Sequence, residues 1–270
     1  MTALSALPKS LDIARVEATL LEAAEAAADY SLPLFRTPLA IDNKLTLGFD
    51  PVTEADRQAE TAIRAVIARN FPEHAVIGEE WGNEGEHEFT WIIDPVDGTR
   101  AFISGAPVWG TLIGLAHEGV AIAGLMSQPF IGETFLGLPG RSSYRRGGID
   151  QTMRTSGETE LERARVFTTT PALFRTPELL SKWRAVEKAT RLQRFGMDCY
   201  GYALVAAGHA DMVIEPFLNT YDIAALVPLI REAGGAIACW DGSEPTGGGN
   251  VVAAATPELL EKALELVNAN

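Results

Sequence analysis

The residues Trp91-Ile92-Ile93-Asp94-Pro95-Val96-Asp97-Gly98-Thr99-Arg100 join an apolar run to two acids and a Gly-Thr turn. A buried strand that stops at Asp-Pro-x-Asp-Gly-Thr sets two carboxylates and several free backbone N–H groups at one sheet edge. Such oxygen ligands suit hard divalent cations, and the N–H groups suit a phosphate. The competing reading is an ordinary acidic turn, since Asp, Pro and Gly are also common in loops. More acids stand where strands end or helices begin: Asp56, Glu79, Glu215 and Asp222. If they converge without Lys or Arg between them they repel one another, and divalent cations among them remove that penalty. His74, His87, His117 and His209 are isolated near loops or helix ends, and with Cys199 and Cys239 they show no zinc-ligand spacing. The donor set therefore points to Mg2+ or Mn2+. Two such ions about 3.5–4 Å apart can activate water and stabilise a leaving oxygen. The chain has no GxxxxGK[ST] loop, which argues against P-loop phosphoryl transfer.

The elements that must position these acids follow from periodicity. Ile13, Val16, Leu20, Ala24 and Ala27 predict a helix from Ser10 to about Ser31, closed by Pro33. A looser segment containing Lys44 leads to a second helix, opened by Thr53-Glu54-Ala55-Asp56 and ended near Asn70. Thr53 with an acid three positions on fits a capping box, so Asp56 reads either as a cap or as a site acid. Ala75–Gly78 is a short strand running into Glu79-Glu80, a pair that reads either as a solvated turn or as site acids beside Asp94 and Asp97. Val108–Ala116 and Val120–Ser127 alternate as strands around a three-residue loop at His117-Glu118-Gly119, and Glu133–Leu138 is a third. Arg141–Gly148 reads as an exposed basic turn. Beyond it come a strand at Arg165–Thr169, a helix at Pro177–Lys188 and a strand near Thr190–Phe195. A helix at Asp198–Ala207 and a strand at Met212–Ile214 ending in Glu215 follow. Asp222 heads an apolar helix that Pro228 should kink or restart and Gly234-Gly235 should stop. Strands at Ile237–Cys239 and Val251–Ala253 precede a last helix opened by Thr256-Pro257. Gly247-Gly248-Gly249 is the most flexible-looking point.

The 270 residues, 47% hydrophobic and 21% charged, are ample for a globular core. The formal net charge of −14 argues against nucleic acid and anionic membranes as partners. It would also repel a phosphate substrate unless local cations invert the field. Met1 to Leu11 has one Lys and no uninterrupted apolar run, so no signal peptide is expected. The two cysteines form no CxxC pattern and are expected as reduced, buried thiols in a cytoplasmic protein.

Ile77-Gly78-Glu79-Glu80, then Asp94-Pro95-Val96-Asp97-Gly98-Thr99, then Asp222 before an apolar helix ending Ala233-Gly234-Gly235, resemble the inositol monophosphatase family. The resemblance runs from Lys44 to Gly235 in the family's order. It implies a layered αβαβα sandwich, usually dimeric, that hydrolyses small phosphate monoesters with Mg2+. Two halves are expected, 1–140 and 141–270, packed as one unit with the site between them. Carried over by position, Glu79, Asp94, Asp97, Asp222 and the Val96 carbonyl look like the metal ligands. Asp56 and Thr99, with Glu79, resemble the groups that activate water, and Gly98 and Thr99 would hold the phosphate. Lys44 would lie at the mouth of the site. Tyr221 departs from the Trp that many relatives carry there, which bears on substrate shape. Arg194 to Tyr200 and Asn219 to Pro228 look like the family's histidinol-phosphate phosphatase branch, as does Ser127-Gln128-Pro129 followed by Gly132-Glu133. Asp198 and Glu215 would then meet the ammonium and imidazole of such a substrate. Arg194 is a further expected contact, to phosphate or to a second subunit.

Overall fold

The computed structural model describes residues 11–38, 40–43 and 51–269. Helix α1 (Ile13–Ser31) begins at Ile13 rather than near Ser10, because the Asp12 carboxylate accepts from the N–H groups of Ala14 and Arg15. A two-residue ladder of β1 (Asp42–Asn43) and β2 (Pro51–Val52) precedes helix α2 (Glu54–Asn70), which opens on the expected capping box from Thr53 to Asp56. There follow β3 (Ala75–Gly78), β4 (Gly82–Glu84), β5 (Phe89–Asp97) and a short helix α3 (Thr99–Ile103). Next comes a meander of β6 (Gly110–His117), β7 (Val120–Gln128), β8 (Glu133–Leu138), β9 (Arg141–Arg146) and β10 (Ile149–Thr152). These strands form an eight-stranded sheet in the order β10-β9-β8-β7-β6-β5-β3-β4. Only the β3–β5 pair is parallel among them.

The rest of the chain builds β11 (Arg165–Thr168), α4 (Pro177–Ala189), β12 (Leu192–Phe195), α5 (Asp198–Ala206) and β13 (Met212–Leu218). It continues with α6 (Thr220–Ile223), α7 (Leu226–Glu232), β14 (Ala236–Cys239), β15 (Gly249–Ala254) and α8 (Pro257–Asn268). The second sheet runs β12-β11-β13-β15-β14.

Side-chain alternation sorts these elements into five layers. Trp91 and Ile93 of β5 pack with Val16 and Leu20 of α1 and Ile63 and Ile67 of α2. The opposite face of that sheet, with Leu112, Met126 and Phe135, packs on α5 and α7. Val213 faces this middle layer too, whereas Met212 and Ile214 pack outward with Trp183 of α4 and Val267 of α8. The result is the αβαβα sandwich the resemblance implies.

Several local expectations change. Arg141–Gly148 is not an exposed turn: its first six residues are β9, with Ser142 and Ser143 buried. His117 pairs directly with Val120, so the β6–β7 loop has two residues, Glu118 and Gly119, both at positive φ. That turn matches the twist of the flanking strands. The helix after Asp222 breaks at Ala224-Ala225, and Pro228 sits in the first turn of α7, where its missing N–H is no loss. Gly248 is packed rather than loose, since a Cβ there would lie 2.4 Å from the Leu218 carbonyl. The histidines are not all isolated. His74 stacks on Phe71, His87 and Phe89 at centroid distances of 4.7 to 5.0 Å, at the end of β5 away from Asp94.

One contact fixes how the two sheets' layers meet. Gly114, Gly124 and Gly137 stand side by side on β6, β7 and β8. A Cβ would lie 3.0 Å from the Ala225 nitrogen at Gly114, 2.0 Å from the Ala225 oxygen at Gly124, and 2.4 Å from Pro228 at Gly137. The chain from Ala225 into α7 therefore lies directly on the sheet backbone. Gly124→Ala is expected to cost roughly 3 kcal/mol in urea unfolding, by overpacking a site that cannot yield. Gly247→Ala, with nothing within 4 Å of the new methyl, should be close to neutral in the same assay.

The Trp91 indole N–H donates to His74 Nδ1 at 3.1 Å. Burial first, and the neighbouring His87 second, lower the His74 pKa to about 4. A histidine depressed in the folded state contributes stability that is complete above its unfolded pKa of about 6.5 and is lost as pH falls through its folded value. Between pH 6.5 and 4 this contribution should fall by about 1 kcal/mol after allowance for solvent screening at a half-buried ring. Urea midpoints across that range should fall less steeply for His74→Phe than for the natural chain.

Candidate active site

Asp94 and Asp97 are three positions apart, so a regular strand would point them to opposite faces. Pairing of β5 with β6 is regular to Asp94–Leu112, shifts, and resumes at Asp97–Gly110. Pro95 has no N–H to give the ladder, and its carbonyl accepts instead from Thr111 Oγ1 at 2.8 Å. The resulting bulge turns both acids to one side, where Asp222 joins them. One carboxylate oxygen from each of Asp94, Asp97 and Asp222 lies within 4.8 Å of the others.

Glu79 arrives from the neighbouring strand. Its N–H donates to the Ile93 carbonyl at 3.2 Å, and its carboxyl hydrogen-bonds Asp94. The turn that carries it is held by Glu60, a fully buried acid on α2 that sequence reading missed. Glu60 Oε2 accepts from the Glu80 N–H at 2.8 Å, Oε1 accepts from Trp81 at 3.3 Å, and Arg64 pairs with it at 2.8 Å. Gly78 is required beneath it, because a Cβ there would lie 1.9 Å from Glu60 Oε1.

Asp222 is held by its own helix start. Its Oδ2 accepts from the Asn219 N–H at 2.6 Å, closing a capping box on α6. Asp97 reaches across to α5, where its Oδ2 accepts from the Cys199 N–H at 2.8 Å near the helix start. Gly98 has φ +80, a left-handed turn that an L side chain resists, and Asp198 Oδ2 would sit 3.1 Å from a Cβ there.

Beside these acids, Thr99 Oγ1 lies 3.1 Å from the Val96 carbonyl and 3.4 Å from Asp56 Oδ1. Asp56 Oδ2 is already occupied by the Thr53 N–H at 2.8 Å and the Thr53 hydroxyl at 2.6 Å. Asp56 therefore caps α2 and also faces Thr99. Burial raises its pKa to about 6 against the lowering effect of the Thr53 hydrogen bonds. A carboxylate with one oxygen aimed at a hydroxyl and a pKa in that range can take a proton near neutral pH.

Glu79, Asp94, Asp97, Asp198, Glu215 and Asp222 all line one cleft of about 280 Å3. Asp94 is held well above the usual carboxylate range by burial, then by the charges of Glu79, Asp97 and Asp222. Asp97 is raised by burial, then by Asp198 and Asp222, with the Cys199 hydrogen bond opposing. Such a set offers only hard oxygen donors and is held against its own repulsion, which fits a divalent cation of the Mg2+ class. A larger cleft of about 570 Å3 lies at the opposite end of β11. There Arg163 pairs with Glu158 and Arg165 with Asp211, so its charged walls are largely neutralised internally.

Glu215 ends the regular part of β13. Its Oε1 accepts from the Thr169 N–H at 2.6 Å and its Oε2 from the Tyr202 hydroxyl at 3.0 Å. Burial raises its pKa to about 7, opposed by Thr169. Asp198 has φ +44, does not act as an N-cap, and accepts from Thr169 Oγ1 at 3.1 Å. The structure does not bring Arg194 into this cleft: it is exposed on the edge strand β12. Arg100 and Arg175 line the wall instead. Sequence reading gave Arg100 no role and missed Arg175, Thr169 and Phe217, which come from loops and a strand end without a motif. Lys44 lies outside the described residues.

A site of clustered carboxylates beside a hydroxyl–carboxylate pair, between the two sheets of an αβαβα sandwich, defines a class of metal-dependent phosphatase. The chain belongs to the inositol monophosphatase family, whose pattern it matches over residues 12–270. Members of that family act on small phosphate esters and depend on metal ions. The chain is 38% identical to the chloroplastic bifunctional phosphatase IMPL2 of Arabidopsis thaliana over 90% of its own length and 72% of that protein's. It is 35% identical to a histidinol-phosphatase of Mycobacterium tuberculosis, over 80% of this chain and 83% of that one. A solved inositol monophosphatase from Zymomonas mobilis superimposes with a TM-score of 0.84 at 35% identity, covering 96% of this chain and 100% of the other.

Removing Glu60 should test how far the Glu79 turn depends on it. Glu60→Ala leaves Arg64 without its buried partner and is expected to cost roughly 3 kcal/mol in urea unfolding. At temperatures where the variant remains folded, the divalent-cation concentration for half-maximal phosphatase activity should rise about tenfold.

Proposed function

We propose that the chain is a Mg2+-dependent histidinol-phosphate phosphatase, releasing L-histidinol and inorganic phosphate. The observation that carries the phosphatase reading is the meeting of the Asp94, Asp97 and Asp222 carboxylates within 4.8 Å, beside Thr99 and Asp56. On this reading Glu79, Asp94, Asp97, Asp222 and the Val96 carbonyl hold the cations. A divalent cation bound there supplies Lewis acidity to the phosphoryl group and lowers the pKa of water. Gly98 and Thr99 hold the phosphate through their backbone N–H groups, and Thr99 Oγ1 also orients the attacking water. The proton of that water passes by way of the Thr99 hydroxyl to Asp56 Oδ1, whose partner oxygen is fixed by Thr53. Glu79 lies against Asp94 and helps to position the water. Phosphorus gains the water oxygen as its bond to the ester oxygen breaks. The ester oxygen takes a proton from solvent and departs as the alcohol into the outer part of the cleft, and Asp56 returns its proton to solvent.

The substrate assignment rests on Asp198 and Glu215, two acids in the same cleft beyond those needed for cations. A leaving group that carries an ammonium and an imidazole adds cationic partners to the neutral hydrogen bonds these acids accept from Thr169 and Tyr202, whereas a polyol offers hydroxyls only. The histidinol-phosphatase from Mycobacterium tuberculosis at 35% identity supports the same choice. A second reading is inositol 1-phosphate or another small sugar or nucleotide ester, favoured by the likeness to the Zymomonas mobilis inositol monophosphatase. A purely metabolite-binding role fits less well, since the acids, the hydroxyl and the Gly-Thr turn are all in place. We take the protein to be a cytoplasmic homodimer, by family resemblance and in keeping with its two free, buried cysteines.

Phosphate release from histidinol phosphate, inositol 1-phosphate and glycerol 2-phosphate, with Mg2+ and with a chelator, separates these readings. We expect histidinol phosphate to lead in kcat/KM, activity to vanish in chelator, and Asp94→Asn to abolish turnover. A lead for inositol 1-phosphate moves the chain to the second reading, and undiminished activity in chelator removes the cation scheme.

A further inference from the structure

The last two ordered pairs of β13 with β15 are Glu215–Val251 and Leu218–Gly249, so Pro216 and Phe217 together oppose the single residue Asn250. This is a bulge of two residues against one, a device that re-aims side chains next to sites. Phe217 adopts φ +65, in the left-handed region that a bulky L residue rarely enters. Its N–H is satisfied by Asn250 Oδ1 at 3.0 Å, which helps to hold that backbone in place. Glycine would adopt the same turn without strain, so the fold gives no reason for a phenyl ring here. Phe217 is 54% exposed and lines the cleft, two residues from Glu215. The Arg175 guanidinium lies over its ring, 6.0 Å from the centroid. An apolar plate is thus held in strain, in water, on the wall of the cleft that also holds Glu215 and Asp198.

We propose that Phe217 is a specificity-determining residue that stacks on a flat nitrogen heterocycle in the leaving alcohol, with Arg175 supporting the ring by a cation–π contact. The proposal rests on the phosphatase reading and deepens its substrate class. An aromatic face attracts planar rings and cations through dispersion and its quadrupole. The neighbouring carboxylates of Glu215 and Asp198 serve the ring nitrogens and any ammonium. An alcohol without a ring gains little from the plate.

The test compares Phe217→Gly, which removes the ring while relaxing the backbone, with Phe217→Tyr, which keeps an aromatic face. Substrates are histidinol phosphate, phenyl phosphate and glycerol 2-phosphate, and L-histidinol binding is followed separately by calorimetry. For Phe217→Gly we expect KM for histidinol phosphate and Kd for L-histidinol to rise roughly tenfold. The value of kcat should change less than about twofold and glycerol 2-phosphate should be nearly unaffected, since neither depends on stacking. The melting temperature should be no lower than that of the natural chain, and Phe217→Tyr should restore KM. Equal losses on glycerol 2-phosphate, or no change in either histidinol phosphate KM or L-histidinol Kd, overturn the proposal. If the natural chain prefers another ester, the histidinol reading fails alone. The plate then stands if Phe217→Gly weakens phenyl phosphate selectively, and falls if it does not.

Discussion

Backbone laid directly on backbone brings the two halves of the site together. The row Gly114, Gly124 and Gly137 removes a layer of side chains from the middle of the first sheet, and Ala225 through Pro228 occupy that space. Helices usually stand about 8–10 Å from their neighbours because side chains intervene. Here that spacing collapses over one turn, and Asp222, three residues before Ala225, reaches Asp94 and Asp97. Packing therefore holds like charges closer than they would settle by themselves. Burial first, and these neighbouring charges second, raise the carboxyl pKa values of Asp94 and Asp97, and a cation that binds only the folded chain stabilises it by mass action.

The two walls of the cleft use the same local device. Asp94-Pro95-Val96-Asp97 and Glu215-Pro216-Phe217-Leu218 are both acid–proline–apolar steps inside a strand, and both interrupt their ladder there. Proline withholds one ladder hydrogen bond and the partner strand loses register, so the next residues turn away from regular alternation. In β5 the consequence is two acids on one side. In β13 it is an acid followed by an exposed ring. Both bulges face the same cleft from different sheets.

The acids were legible in the sequence because each sits where a periodic segment stops, and stops are written locally in Pro, Gly, Thr and Asn. The same applies to the Thr53–Asp56 box and to Thr256-Pro257 before α8. What could not be read depended on distant contacts. Glu60 looks like one more acid on a polar helix until Gly78 brings the Glu80 N–H above it. Arg194 and Arg175 are both loop-proximal arginines, and only the order of the second sheet puts Arg194 on an outer edge and Arg175 on the cleft wall. The strand at Arg141–Arg146 hid behind its charge, because its end residues Arg141 and Arg146 are exposed while Ser142 and Ser143, on opposite faces, are buried without an apolar signature. The glycine row carried no local signal, since its three members are separated by whole strands.

Asp56 and Asp222 share a position that makes fold and chemistry inseparable. Each is the third residue of a helix, and each closes a capping box by accepting the N–H of its own cap residue through Oδ2. That bond restrains the carboxyl group: at Asp56 the remaining oxygen, Oδ1, faces Thr99, and at Asp222 one carboxylate oxygen lies within 4.8 Å of those of Asp94 and Asp97. A freely rotating carboxylate would lose side-chain entropy on binding, whereas one already tied to a helix start has lost it on folding. The helix termini therefore act as mounts for these acids, and a substitution at either one removes a helix cap and a carboxylate of the proposed site together. Separating the two effects requires changing the cap residue instead: Thr53 and Asn219 hold the orientation without being counted among the site's own acids.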